Sequence, residues 1–237
     1  MLLLSKKKFT LKDQACFSNF SGDYNPIHLC DVYARKTIYG QIIVHGMNIL
    51  FWSLDSILKE KINFRSIKVK FLKPAFLDEM LYCYWHEEQK IIYIKNRYTL
   101  ICKIKLKLCA IFKPNKHKIK ILKRSKFPQN TDIFKFKKFI KYEFGFCGDE
   151  ISIYNIYSNL RENLGLEVLK EIGFLSYIVG MKFPGLYSLF LTADINFKIN
   201  NDLQFFKISK TDKRINYIWT EFKGKSIYGC LESMLRP

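Results

Sequence analysis

The chain has 237 residues, 49% of them hydrophobic and 16% aromatic, with only 11 Gly and 6 Pro; this composition closes a real core and excludes disordered, collagen-like and low-complexity classes. Against 40 Lys and Arg stand 21 Asp and Glu, a formal net charge of +19, which draws the protein toward an anion such as nucleic acid, a lipid surface, an acidic carrier or a phosphorylated cofactor. AT-rich codons produce the same excess of Lys, Ile, Phe, Tyr and Asn whatever the function, so charge alone does not choose the partner.

In chain order, residues 1–8 (MLLLSKKK) form too short an apolar run for a signal peptide, with the charges after the run rather than before it. Between residues 17 and 28 (FSNFSGDYNPIH), Gly22-Asp23 and Asn25-Pro26 are turn formers, so Asp23, Asn25 and His28 belong to a constrained loop. The longest apolar stretch, 41–54, is interrupted by His45, Gly46 and Asn48 and falls short of the roughly 20 residues that span a bilayer; no membrane span is expected, and residues 47–58 read as an apolar helix. Strand-like runs follow at 66–72, 81–85, 91–94 and 101–108, the last alternating apolar residues with Lys103, Lys105 and Lys107. No Asp or Glu occurs from Gln89 to Thr131, and Pro, Asn and Ser between charges make 114–130 a basic linker.

Beyond the linker, Ile178-Val-Gly-Met181 echoes Ile43-Val-His-Gly-Met47 without the His, and strand-like runs recur at 194–199, 203–208, 215–220 and 225–231. The chain is therefore expected to be α+β in two tandem copies, each an antiparallel sheet wrapped around a helix that starts at the echoed motif. Seven scattered Cys, with no C-x-x-C pair, point to reduced thiols in a cytoplasmic protein.

Carboxylate, amide and imidazole share one short segment at Asp23, Asn25 and His28. An Asp and a His converging on one water supply an acid and a base. Gly46 stands at the expected helix start, where free N–H groups and the positive dipole end face an incoming oxygen in the manner of an oxyanion hole. Each feature has a rival reading: D-Y-N-P as a simple turn, His45 as a packed core histidine, the Lys rows as a solvated strand face. Asp23, His28 and His45 also have the composition of a two-His-one-carboxylate metal site, but their spacing matches no metal motif and none is expected.

The run from Phe17 to Ala34 (FSNFSGDYNPIHLCDVYA), followed by Ile43-Val-His-Gly-Met47 and by Ile67 to Phe76 (IKVKFLKPAF), resembles the signature of the MaoC-like, (R)-specific enoyl-CoA hydratases, which have the hot-dog fold. Leu77-Asp78-Glu79 stands where that family has Gly-Asp. The resemblance covers about the first 110 residues and implies a hydro-lyase that adds water to a trans-2-enoyl thioester, giving an (R)-3-hydroxyacyl thioester. It places the catalytic dyad on Asp23 and His28, the thioester-oxygen donor on the Gly46 amide, and supporting or substrate-binding positions on Ser21, Asn25, His45 and Met47. Leu50, Phe51 and Trp52 are expected to help wall an acyl tunnel. No cofactor is implied.

After His117 the sequence has no histidine, so a second Asp/His dyad is impossible. The expected organisation is a double hot dog: a catalytic MaoC-like domain over 1–113, the linker, and a degenerate copy over 131–237 that covers the first sheet as a partner subunit would. The chain is then an intramolecular pseudo-dimer with one site, able to pair again as a homodimer. The expected partner is an acyl-CoA or acyl carrier protein thioester, with no specific nucleic acid; a non-catalytic acyl-binding or assembly module is the alternative.

Overall fold

The computed structural model describes residues 1–110, 118–130, 141–153, 156–197 and 203–236. The first half runs β1 (Leu2–Lys8), α1 (Leu11–Ser21), α2 (Asp31–Ala34), α3 (Gly46–Lys59), β2 (Phe64–Phe71), β3 (Met80–His86), β4 (Ile91–Lys95) and β5 (Leu100–Leu108). The second runs β6 (Lys141–Tyr142), α4 (Ser158–Leu164), α5 (Leu166–Tyr177), β7 (Ser188–Phe197), β8 (Phe205–Asp212), β9 (Tyr217–Lys223) and β10 (Ile227–Leu235).

All ten strands join one antiparallel sheet in the order β1-β3-β4-β5-β2-β7-β10-β9-β8-β6. Read outward from the central β2–β7 pair, where Ile67 faces Ile195 and Val69 faces Ala193, the two sides have the same internal order. In each half the long helix precedes the innermost strand. This is the α+β double hot dog, and the duplication is visible in topology rather than in residues. The buried faces of α3 (Leu50, Phe51, Leu54, Ile57) and α5 (Leu169, Ile172, Phe174, Leu175) sit in one continuous apolar core. Removing such side chains from water is the main stabilising term.

The four-residue echo, however, lies in the wrong place. Ile178–Lys182 is a π-helical turn at the end of α5, not the start of a helix. The second long helix begins earlier, at Leu166, because Gly165 (φ 80°, ψ 151°) breaks the chain between α4 and α5, and Pro184 and Gly185 follow where the helix stops. The expected strands are otherwise present with shifted ends: β7 begins six residues before the 194–199 run, of which 198–199 lie outside the described residues. The sequence reading missed β1, an edge strand paired with β3.

The β5 alternation is seen as Cys102, Ile104 and Leu106 buried with Lys103, Lys105 and Lys107 exposed. On that outer face Lys68 stands opposite Lys105 and Lys70 opposite Lys103. Residues 114–117 of the expected linker lie outside the described residues. Residues 118–130 run along the second half, where Ile121 bridges Phe146 and Asn130 bridges Gly185. All seven cysteines are free, and no described helix is long and apolar enough to cross a membrane.

Candidate functional site

The loop that carries Asp23 and His28 is set by local rules. Helix α1 opens with a reciprocal cap between Thr10 and Asp13 and closes at Gly22, whose φ of 80° suits glycine; a Cβ there would also sit 3.1 Å from the Cys147 side chain. Ser21 Oγ then accepts the Asp23 N–H (3.1 Å) while donating to the Phe17 carbonyl (2.8 Å). Asn25 caps the short turn Pro26–His28 by accepting the Ile27 N–H, and its Nδ2 donates to the carbonyls of Gly180 (3.1 Å) and Gly185 (3.2 Å). The loop is thus held from both sides, by its own turns and by the second half of the chain.

Asp23, His28 and His45 are all buried, and one ligating atom from each lies within 4.8 Å of the other two. Two groups that share one water stand about 4.5 Å apart, as two ordinary hydrogen bonds at the water's angle require, a separation inside the 4.8 Å that bounds these groups. His28 Nδ1 lies 2.8 Å from the Ile43 carbonyl. A carbonyl only accepts, so Nδ1 carries the proton and Nε2 keeps its lone pair. The His45 ring stacks on His28 at 3.8 Å with 28° between planes, and its Nε2 donates to the Asp23 carbonyl at 3.3 Å.

Electrostatics separate the two members. Burial lifts the Asp23 carboxyl from 3.8 to about 7, against hydrogen bonds from Ser176 Oγ (2.8 Å) and the Asn25 N–H (3.2 Å) that favour the anion. Burial pushes His28 down from 6.5 to about 4, against its bond to Ile43, and holds His45 well below its usual value, with His28 adding to the effect. Between these limits Asp23 is a neutral acid and His28 a neutral base.

The same shifts predict stability. From pH 3.8 to about 7 the folded state holds the Asp23 proton that the unfolded state has lost, so this group's contribution falls as pH rises through that window. For His28 the sign reverses: the unfolded chain binds the proton first, and stability falls as pH drops from 6.5 toward about 4. Asp23→Asn is therefore expected to gain stability over the wild type on going from pH 5 to pH 8, by up to roughly 3 kcal/mol, since only the stretch from pH 5 to about 7 carries the slope of about 1.4 kcal/mol per pH unit. Urea midpoints at both pH values check this; an equal difference at the two would contradict it.

These groups line a cavity of about 340 Å³ that also takes in Gly46 and Ile49 of α3, Phe71 at the end of β2, and Val179, Gly180 and Phe190 from the second half. Gly46 is the first residue of α3 and lies in the cavity wall, and His45 before it makes no side-chain cap. The His45 carbonyl takes the N–H groups of Asn48 and Ile49, while the Gly46 N–H, the first of the helix, has no intrahelical partner. Lys73 and Arg236 are exposed residues of the same wall, one from each half.

Of the residues singled out by sequence, the structure brings Asp23, His28, His45 and Gly46 to the cavity, with Ser21 and Asn25 bracing the loop. Met47 is fully buried and forms no part of the wall. The tunnel assignment of Leu50, Phe51 and Trp52 is overturned: they point into the core, where Trp52 packs on Phe9 and Phe51 on Phe17, Phe20 and Tyr157. The Leu77-Asp78-Glu79 turn keeps a left-handed residue at Asp78 (φ 59°), with its N–H on the Phe9 carbonyl. Sequence reasoning missed Ser176, the Asp23 partner on α5. It also missed the meaning of Gly180: a Cβ there would overlap the Asp23 carboxylate.

A sheet wrapped on a long helix, twice over, with Asp23 and His28 in the cavity lined by both copies, defines a hot-dog protein. Residues 3–102 match the family model described as a MaoC like domain. Over the whole chain the fold is similar to a structure titled MaoC-like dehydratase, with 9% identity over 98% of this chain and 96% of that one and a TM-score of 0.56. Also similar are an (R)-hydratase from A. caviae (24% identity, 43% of this chain, 91% of that one, TM-score 0.32) and acyl-CoA thioesterase II TesB2 from Mycobacterium marinum (10%, 81%, 88%, 0.47). Comparison with the curated proteins gives no match.

Proposed function

We propose that the protein is a hydro-lyase that adds water reversibly across the double bond of a trans-2-enoyl thioester, carried on CoA or on an acyl carrier protein, to give the (R)-3-hydroxyacyl thioester. The observation that carries this reading is the buried Asp23–His28 pair, close enough to share one water and offset in acidity, beside the uncapped N-terminus of α3. His28 Nε2 takes a proton from the water as its oxygen bonds to C3. The displaced electron pair moves through C2 to the thioester oxygen, where the Gly46 amide and the helix dipole meet it. Asp23 then gives its proton to C2, and the proton on His28 returns to Asp23. Dehydration runs the same steps backward.

On this account Asp23 must be protonated and His28 neutral. The hydration rate is expected to fall below about pH 4 as His28 gains a proton and above about pH 7 as Asp23 loses one. A pH–rate profile checks this; a rate that keeps rising past pH 8 would assign Asp23 as the base instead.

The same reading divides the chain into a catalytic half over 1–113 and a second half over 131–237, joined by 114–130, with one site between them. Lys73 and Arg236 suit the phosphates of the carrier, and the opposed lysines of β2 and β5, which repel one another across the sheet, add to the field that attracts it. Lys73→Ala and Arg236→Ala are each expected to raise KM for a CoA thioester about fivefold while leaving a phosphate-free N-acetylcysteamine thioester unaffected; equal effects on both substrates would remove the phosphate assignment.

A further inference from the structure

A line of buried polar side chains crosses from the second half to the back of His28. Tyr157, just before α4, donates its hydroxyl to Asn48 Oδ1 on α3. Asn48 Nδ2 donates to Gln14 Oε1 on α1 (3.2 Å), and Gln14 Nε2 donates to the Ile43 carbonyl (3.2 Å). That carbonyl is the one that accepts the His28 Nδ1 proton. Gln14, Asn48 and Tyr157 are 0%, 1% and 3% exposed, so no water substitutes for a missing member, and burial keeps the Tyr157 hydroxyl protonated as a donor.

We infer that Tyr157, Asn48 and Gln14 form a relay of positioning residues that clamps the Ile43 carbonyl and thereby holds His28 in its Nδ1–H tautomer with Nε2 free to act as base. The polarity is uniform: every donor points toward Ile43, and turning either amide around would set donor against donor or oxygen against oxygen. The Val44 N–H of the same peptide donates to the Ala75 carbonyl at 2.8 Å, so the peptide plane is set from that side and the Gln14 bond sets the carbonyl end; without it the His28 N–H is the one side-chain donor left to orient that oxygen. The second half therefore reaches both members of the pair, Asp23 through Ser176 and His28 through Tyr157. In its kinetic consequence the inference rests on the hydration reading, whereas the tautomer does not.

The test compares Gln14→Met, Tyr157→Phe and the double variant. Gln14→Met is expected to lower kcat about tenfold with KM within about twofold, because it moves the base and not the substrate contacts. Tyr157→Phe, which keeps its ring against Phe51 (5.9 Å), is expected to lower kcat about threefold. The double variant should be no slower than Gln14→Met alone, since Tyr157 acts only through Gln14. Ring 15N shifts of His28 are read in parallel: one Nδ1–H tautomer in the wild type, a mixture with Nε2–H in Gln14→Met and a smaller admixture in Tyr157→Phe, which serves alone if Gln14→Met does not fold. Effects that multiply in the double variant, or a tautomer unchanged in the folded variants, would overturn the relay. A wild type inert on enoyl thioesters whose His28 tautomer still shifts in the variants would sustain the relay and overturn the hydration reading.

Discussion

His28→Ala is expected to cost about a thousandfold in kcat for hydration of a trans-2-enoyl thioester, and Asp23→Asn a similar factor, within the range for losing a general base or acid. The two losses should not multiply. One water and one proton circuit require both groups, so the variant lacking both is expected to be about as slow as either alone. Neither change should unfold the protein: His28 is neutral where it stands, and Asn can keep a bond to the Ser176 hydroxyl, which rotates to donate or accept. Initial rates of enoyl absorbance loss, with a thermal melt for each variant, check this. A folded His28→Ala that retains a tenth of the wild-type rate would remove His28 from the chemistry.

Gly180→Ala is the second large effect, and it comes from the half of the chain without a dyad. An added Cβ would sit 2.5 Å from Asp23 Cγ and Oδ2 and closer still to Oδ1. The obstructing atoms are the end of a side chain, so the carboxylate moves rather than the backbone, and it leaves both the Ser176 bond and its station beside His28. Displacing a reacting group by about 1 Å costs on the order of a hundredfold, and that loss in kcat is expected with the fold retained. The alkaline limb of the pH–rate profile should shift with it, because the carboxyl leaves the pocket that raises its pKa. A Gly180→Ala protein with wild-type kcat would mean that Asp23 does not act from its observed position.

Much of the first half was legible because its signals are local. The Gly22 turn, the Asn25 cap and the alternation of β5 each follow from a few adjacent residues, and the order of Asp23, His28 and Gly46 places them at one end of α3. The second half was legible as strands but not in register. Its echo at Ile178–Met181 matched letters, while the actual counterpart of α3 is the helix from Leu166, opened by a Gly165 whose role lies in backbone angles. Ser176, Gly180 and Tyr157 were invisible for a different reason: each acts on a residue more than 100 positions away, Ser176 and Gly180 on Asp23 and Tyr157 on Asn48. Only the assembled fold reveals such pairs. Leu50, Phe51 and Trp52 show the complementary error, since an apolar helix next to a site has one face on the cavity and another in the core, and Ile49 is the residue that faces the cavity.

The central claim is that water enters the acyl chain and leaves the thioester bond intact. The most direct measurement is the mass of the product formed from a short trans-2-enoyl thioester, with free thiol assayed in the same sample. The account predicts a thioester heavier by one water and no thiol release, with Asp23→Asn and His28→Ala leaving the substrate unchanged. Release of free thiol and the unsaturated acid would contradict it and make the same cavity that of a thioesterase; an unaltered substrate that is nonetheless bound would make the chain an acyl-binding module.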